Sequence, residues 1–495
     1  MIDFILNNQD ISTDLPHGMT VLDFARYRQN LKGTKIGCRE GDCGACTIIV
    51  GELVGDDVRY RTMTSCLMPL ANADGKHIVT IEGINPEDGS LTPVQQAMVD
   101  ESGTQCGFCT VGFVMSLTGF CVDHIAKTPE MAVSSIDGNI CRCTGYKSIE
   151  RAAESVCSQL AEGRRQFVPE YFAHIPQRLE EMSRDRPQAE TRAAASVPLS
   201  FVSGGTDVYV QKPDALAESD ASHLFYDENL RGIRDNDGII EIGASATVTD
   251  IVESPVMQAI FPDLYKHLKL VSSTPIRNMA TLAGNFINAS PIGDMTVWFL
   301  ALDADVVFND GRDMPLRKLY IDYKKLAKTD QEFITAIRFR KPGSDVYFNF
   351  EKVCKRTCLD IATVNTAISL RVESTPGPGW IPPVLRDERQ QKGDTKPGTW
   401  DLGLGTSVDH KIISAHVSAG GVAPIPLYLK ATSAFLNGKQ ITAETIADAN
   451  EIMQSEISPI SDVRGTVTYK RLLLRQLFRA HFVELFATEI TENTE

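Results

Sequence analysis

No stretch of this 495-residue chain stays apolar for more than a few residues before Gly, Asp or Asn interrupts it, so no bilayer-spanning helix is expected. Positive charge is in deficit. Lys and Arg number 49 against 64 Asp and Glu, a formal charge of −15, with no basic block beyond scattered pairs. That balance excludes nucleic acid and anionic membrane surfaces as partners. The N-terminus, MIDFILNNQDIS, has no cationic stretch ahead of an apolar run, so no secretory signal is expected and the setting is cytoplasmic. There is no repeat of fixed period and no G-x-G-x-x-G, which leaves a Rossmann dinucleotide site unsupported. Cysteine is plentiful: the chain has 12, and nine lie between Cys38 and Cys143, eight of them in two sets of four. In a reducing compartment such thiols serve metal rather than disulfides.

The chain is too long for one core. Residues 1–84 read as short strands with one helix. MIDFIL and DISTDL flank an Asn7–Asn8 turn, Thr20 caps VLDFARYRQ, and TIIVGELV and IVTIEGI are strand-like. Residues 85–162 carry helical spacing over Thr92–Val99, Cys106–Cys121, Pro129–Ile136 and Ser148–Leu160, a compact four-helix unit. Residues 163–197 are charged, Pro-punctuated and poor in aliphatics, a surface linker. Residues 198–345 alternate strands and helices. A further mixed unit, 346–482, contains a Gly-, Pro- and charge-rich insertion at 374–398.

The cysteines fall into two sets of four. Cys38, Cys43, Cys46 and Cys66 read C-x4-C-x2-C plus a distant fourth, the plant-type spacing for a [2Fe–2S] cluster. Gly37, Gly41 and Gly44 let the loop turn tightly enough to aim N–H groups at the sulfurs. Zinc favours paired C-x2-C units, which the long first gap breaks. Cys106 and Cys109 form a C-x2-C placed on one face of the second helix, and Cys141 and Cys143 a C-x-C in a Gly-rich connection. Spacing alone leaves zinc and iron–sulfur both open for this second set. Cys121, Cys157, Cys354 and Cys358 read as buried thiols rather than ligands.

CREGDCGACT (38–47), QCGFCTVGFVMS (105–116) and GNICRCTGY (138–146) resemble the two [2Fe–2S] domains of the molybdenum hydroxylases, the xanthine dehydrogenase and aldehyde oxidase group. FVSGGTDVYV (201–210) and IRNMATLAGNFINASPIGDM (276–295) resemble that family's two flavin-binding loops. SPISDVRGTVTYKRLLLRQL (458–477) resembles the end of its flavoprotein C-terminal domain. The resemblance implies a multidomain α+β protein in four parts: a β-grasp ferredoxin domain (1–84), a helical [2Fe–2S] domain (85–162), a non-Rossmann α/β FAD-binding domain (198–345) and an α+β C-terminal domain (346–482). It is closest in layout to purine-oxidising members in which both clusters and FAD share a small subunit.

The glycine loops also have a direct reading. Gly204, Gly205, Thr206 and Asp207 offer close backbone approach, successive N–H donors and a hydroxyl to a diphosphate. Ala283, Gly284 and Asn285 do so from the other side. Any one such loop alone is equally a plain tight turn. The resemblance adds Val202, Ser203, Val208, Thr281, Leu282, Asn288 and Ser290 to the FAD contacts. It places Asp294 near the ribityl chain, Lys352 near the flavin ring, Ile334 in backbone contact with it, and Asp360 beside the nicotinamide approach. Val271 stands where the family has an aromatic over the flavin, and Gln105 where it faces the pterin.

The implied activity is electron transfer. Electrons from a molybdopterin-binding large subunit, oxidising hypoxanthine or xanthine towards urate, enter the cluster of Cys106, Cys109, Cys141 and Cys143. They pass to the cluster of Cys38, Cys43, Cys46 and Cys66, then to FAD and NAD+. No residue of this chain is expected to catalyse the hydroxylation, and the assembly is expected to be two small and two large subunits. The alternatives are the same wiring for an aldehyde or N-heterocycle hydroxylase, and a non-catalytic iron–sulfur sensor or assembly protein.

Overall fold

The computed structural model describes residues 1–163, 166–184, 200–219, 221–374 and 410–492. The insertion reading at 374–398 falls almost wholly outside these residues.

Strands Ile2–Leu6 and Gln9–Thr13 pair antiparallel around Asn7, whose φ of 54° suits the two-residue turn. They open a five-stranded sheet that continues through His77–Val79, Thr47–Val54 and Asp57–Thr64. Thr20 Oγ1 accepts the Asp23 N–H, starting a helical segment that widens into a π turn over Phe24–Arg28. IVTIEGI is a strand only as far as Val79 and turns 3-10 at Ile81–Ile84. The strand Asp57–Thr64 gave no sequence signal because Arg59 and Arg61 read as surface charge. Arg61 is in fact buried, held by Asp250 at 2.8 Å and Glu253 at 2.7 Å from the third unit.

The second unit is four helices: Pro93–Asp100, Thr110–Val122, Pro129–Ser135 and Lys147–Ala161. The first begins with a reciprocal Thr92–Gln95 capping box. The second is buried on every side from Gly112 to Phe120, which explains its lack of a polar face.

Residues 163–197 were expected to be a surface linker, and the described part differs. Glu170–His174 forms a 3-10 turn and Ile175–Arg184 a helix. Phe172, Ile175 and Leu179 recur at helical spacing and bury themselves in the core of the first two units. Tyr171 donates to the Gly83 carbonyl at 2.9 Å, and Arg178 pairs with Asp10 at 2.7 Å. The segment's charge masked this narrow apolar stripe.

The third unit alternates helices and strands in sequence, yet its five-stranded sheet is antiparallel throughout. Its order is Asp313–Pro315, Asp305–Phe308, Ile334–Arg340, Ile239–Gly243, Ile233–Asn236. A short parallel pair, Phe201–Val202 with Ser222–His223, stands apart. The fourth unit has a four-stranded antiparallel sheet, Val346–Val353, Val364–Ser374, His410–Gly420 and Leu427–Tyr428, backed by helices that include Val467–Glu492. Helix Asp294–Ala301 lies between these two units, buried from Met295 to Ala301, and Ser418 donates to its Val297 carbonyl at 2.6 Å. Among the described residues no helix is long and apolar enough to cross a membrane.

Two histidines are sealed in this fold. Burial holds His77 at a pKa of about 3 despite its bond to the Asn7 carbonyl, and burial, with His267 nearby, holds His481 at about 3. Both native pKa values lie below the unfolded 6.5, so between those limits the unfolded chain binds more protons and stability falls as pH falls. Each histidine should remove about 1.4 kcal/mol per pH unit below 6.5. Denaturant midpoints at pH 7.5 and 5.5 check this: His77→Phe is expected to flatten the profile, and an unchanged slope contradicts it.

Candidate functional site

The loop after Ile36 is shaped by residues with positive φ: Arg39 at 60°, Gly41 at 79° and Gly44 at 67°. A side chain on Gly37 would strike Cys43 Sγ, with Cβ only 2.4 Å away. The loop therefore folds onto its own sulfurs. Cys43 Sγ accepts the Cys38 N–H at 3.4 Å, and Cys38 Sγ accepts the Glu40 N–H at 3.3 Å. Cys46 leads into strand Thr47–Val54, and Cys66 follows strand Asp57–Thr64, so sheet pairing brings their ends together. Ser65 ties the join by donating its hydroxyl to the Cys46 carbonyl at 2.7 Å.

The four thiols associate as two pairs. Cys38 and Cys43 are free thiols lying together, and the influence of Cys43 with that of the loop amides lowers Cys38 to about 5, while Cys38 raises Cys43. The free thiols of Cys46 and Cys66 act on each other likewise, lowering Cys46 and raising Cys66.

The second set repeats this arrangement with one correction. Cys106 and Cys109 do not share a helix face. The helix starts at Thr110 with Cys109 as its N-cap, because Gly107 at φ 82° breaks the preceding turn. Cys106 and Cys143 are free thiols, and Cys106 raises the Cys143 thiol. Cys109 meets Cys141: burial first, then that bond, raises Cys109 to about 12. Burial opposes the Cys141 thiolate, but the Thr144 hydroxyl at 3.1 Å and the amides of Thr144 and Cys143 outweigh it and lower its pKa. Tyr146, at φ 70°, receives the Cys141 N–H on its hydroxyl at 3.1 Å. Among the described residues no group of three or more His, Cys, Asp or Glu converges on one ion. Of the remaining cysteines, Cys157 is buried, while Cys121, Cys354 and Cys358 are half-buried, less enclosed than their sequence suggested.

The two glycine loops of the third unit face each other. A Cβ on Gly204 would lie 1.8 Å from the Met279 carbonyl oxygen, so this loop packs backbone to backbone on the segment that leads to Thr281. Thr281 Oγ1 accepts the Gly284 N–H at 3.3 Å and caps helix Leu282–Asn288. Between the loops lies a cavity of 540 Å³. Val202, Ser203, Gly204, Gly205, Thr206, Asp207, Val208, Ala283, Gly284, Asn285, Asn288, Thr281 and Ile334 line it.

Leu282, Ser290, Asp294 and Lys352 are not in that lining. Leu282 is fully buried in the core beneath. Lys352, its side chain wholly buried, donates to Asp294 at 2.7 Å and to the carbonyls of Leu270 at 2.7 Å and Asp360 at 2.8 Å. Asp294 also accepts from Asn365 at 2.5 Å. This buried pair joins the third unit to the fourth. Val271 is buried in the third unit's core, and the Asp360 carboxylate caps the Arg356 N–H at 2.8 Å.

Ser245 and Lys324 are among the cavity residues that sequence reasoning missed. Ser245 hydrogen-bonds Ser203 at 3.2 Å, and Lys324 reaches Asn288 Oδ1 at 2.9 Å. Lys324 sits in a hairpin whose clustered lysines carry no motif. Burial raises the Asp207 carboxyl, and the charge of Lys324 and a bond from Asn288 partly offset it. A larger cavity of 680 Å³ between the second and third units is edged by Phe120, His124, Tyr265 and Lys269, and none of the predicted ligand residues lines it.

Four family models match in sequence order: a 2Fe-2S iron-sulfur cluster binding domain over 4–71, a [2Fe-2S] binding domain over 80–154, an FAD binding domain in molybdopterin dehydrogenase over 177–341, and a CO dehydrogenase flavoprotein C-terminal domain over 402–485. Xanthine dehydrogenase of Emericella nidulans is 26% identical over 89% of this chain and 35% of its own length. Nicotinate hydroxylase hnxS of the same organism is 24% identical over 96% of this chain and 40% of its own. The chain thus spans about a third of the length of the curated relatives it matches. Reconstituted CO dehydrogenase from Oligotropha carboxidovorans is 23% identical, aligned over 58% of this chain and 90% of that one with a TM-score of 0.47. By its ordered iron–sulfur and flavin domains, the chain belongs to the molybdenum hydroxylases as their iron–sulfur/FAD part.

Proposed function

We propose that this chain carries electrons from a separate molybdopterin-binding subunit to a nicotinamide acceptor. The observation that carries the reading is the gathering of eight free thiols in two sets, with backbone N–H groups aimed at the Cys43, Cys38 and Cys141 sulfurs. A [2Fe–2S] cluster takes four cysteines, two on each iron, whereas zinc draws all four sulfurs onto one ion. Cys38, Cys43, Cys46 and Cys66 hold one cluster, and Cys106, Cys109, Cys141 and Cys143 the other. The amides of Glu40, Cys143 and Thr144 point at sulfur and tune it. The cavity between Gly204 and Gly284 suits FAD, with Ile334 at its wall and the Lys352–Asp294 pair supporting the element behind. When bound, these groups supply one-electron relay and, at the flavin, exchange with a two-electron carrier.

The direction follows from exposure. Cys106 and Cys143 are exposed, as are the apolar Phe108, Ile140 and Tyr146 within three residues of them in sequence. Exposed apolar residues of this kind suit a partner surface, and Gln105, next to Cys106 in sequence, is exposed as well. Xanthine dehydrogenases recur among the similar proteins, which favours a purine substrate on the partner; a nicotinate hydroxylase and an aldehyde oxidase keep a second reading in play. The test is the copurified complex on a substrate panel. Hypoxanthine and xanthine turnover coupled to NAD+ reduction is expected. Turnover confined to aldehydes or nicotinate, or peroxide formed as fast without NAD+, contradicts the assignment.

A further inference from the structure

The two cysteine loops touch at one buried amide. Asn139, two residues before Cys141, donates to the Gly44 carbonyl at 3.2 Å and accepts the Ser116 hydroxyl at 2.8 Å. Gly44 is the residue after Cys43. Next to this contact the Ile140 N–H reaches the Cys43 carbonyl at 3.1 Å. Asn139 is 6% exposed and Ser116 is fully buried. The approach is as close as backbone allows. A Cβ on Gly44 would lie 2.3 Å from Asn139 Nδ2 and 2.5 Å from the Gly138 carbonyl, and one on Gly112 would lie 2.2 Å from the Gly44 carbonyl. Two glycines on different units have given up side chains at one point. The Asn139 amide fills what remains with polar bonds in both directions.

We propose that Asn139, oriented by Ser116, is the positioning residue that fixes the separation between the two cluster-bearing loops. The inference rests on the proposed cluster assignment. Asn139 touches no sulfur; it acts by holding Cys43 and Cys141 in register across the unit boundary. Electron exchange and magnetic coupling between centres both depend steeply on separation, so a loosened register shows in spectroscopy before it shows in folding.

The surroundings allow a clean test. Without Asn139 the Gly44 carbonyl keeps the Thr47 N–H at 3.1 Å and the Thr47 hydroxyl at 2.7 Å, so no buried acceptor is orphaned. Asn139→Ala and Ser116→Ala are compared with the unaltered protein, each reduced anaerobically and examined by low-temperature EPR with iron and sulfide analysis. Both variants are expected to keep the iron content of two clusters and lose the resolved spin–spin splitting between them, Ser116→Ala more mildly. Unchanged splitting in both overturns the proposal. So does loss of a whole cluster from Asn139→Ala with a wild-type spectrum for Ser116→Ala, which makes the residue a scaffold for one loop only. Absence of a second paramagnetic centre in the unaltered protein overturns the cluster assignment itself, a different failure.

Discussion

Asp137→Ala is expected to destabilise the folded chain by about 3–5 kcal/mol, the loss typical when one partner leaves a buried ion pair. Arg277 and Asp137 meet at 2.7 Å with side chains 9% and 5% exposed, across the boundary between the helical unit and the flavin unit. Arg277 also donates to the Val271 carbonyl at 2.9 Å and the Thr274 hydroxyl at 2.8 Å, and Asp137 accepts the Thr274 N–H at 2.6 Å. Without the carboxylate, the guanidinium stays buried with neutral acceptors only, and a helix-start amide loses its partner. Asp137 lies two residues before Asn139, so the damage falls on the junction that carries the second cysteine set. Asp137→Asn retains the amide's acceptor and should lose less. Chemical denaturation of both variants checks the ranking; Asp137→Ala within about 1 kcal/mol of the parent, the range of an exposed pair, contradicts it.

Gly204→Ala is expected to lower flavin affinity by roughly 5- to 150-fold while leaving both cysteine sets intact. The added Cβ would lie 1.8 Å from the Met279 carbonyl oxygen, a backbone atom that cannot swing aside. Overpacking of this kind costs about 1–3 kcal/mol, or roughly 5- to 150-fold in an equilibrium. The strain is relieved by the loop lifting away from the Thr281 segment, which parts the two walls of the 540 Å³ cavity. Flavin-to-protein ratio after gel filtration, with iron measured on the same sample, separates this from general unfolding. Full flavin retention contradicts it.

How far the sequence reaches differs between these two sites. Cysteine spacing is a local property, and Gly41, Gly44 and the Asn7 turn need only their own backbone angles, so all were legible. What escaped depends on partners distant in sequence. Strand Asp57–Thr64 is concealed by Arg61 until Asp250 and Glu253 arrive, nearly two hundred residues later. The docked helix Ile175–Arg184 shows its apolar face only against a core built by other units. Cys106 left the helix because a left-handed Gly107 overrides the i, i+3 pattern. Lys352 and Asp294 were singled out from resemblance, and their shared ion pair, distinct from the cavity wall, is a tertiary fact that no spacing contains.

The most direct test of the account is spin and metal counting on the purified chain after anaerobic dithionite reduction. Two distinct paramagnetic centres of equal intensity, with two irons and two sulfides for each, are expected. A single centre, or zinc retained by Cys106, Cys109, Cys141 and Cys143, contradicts it.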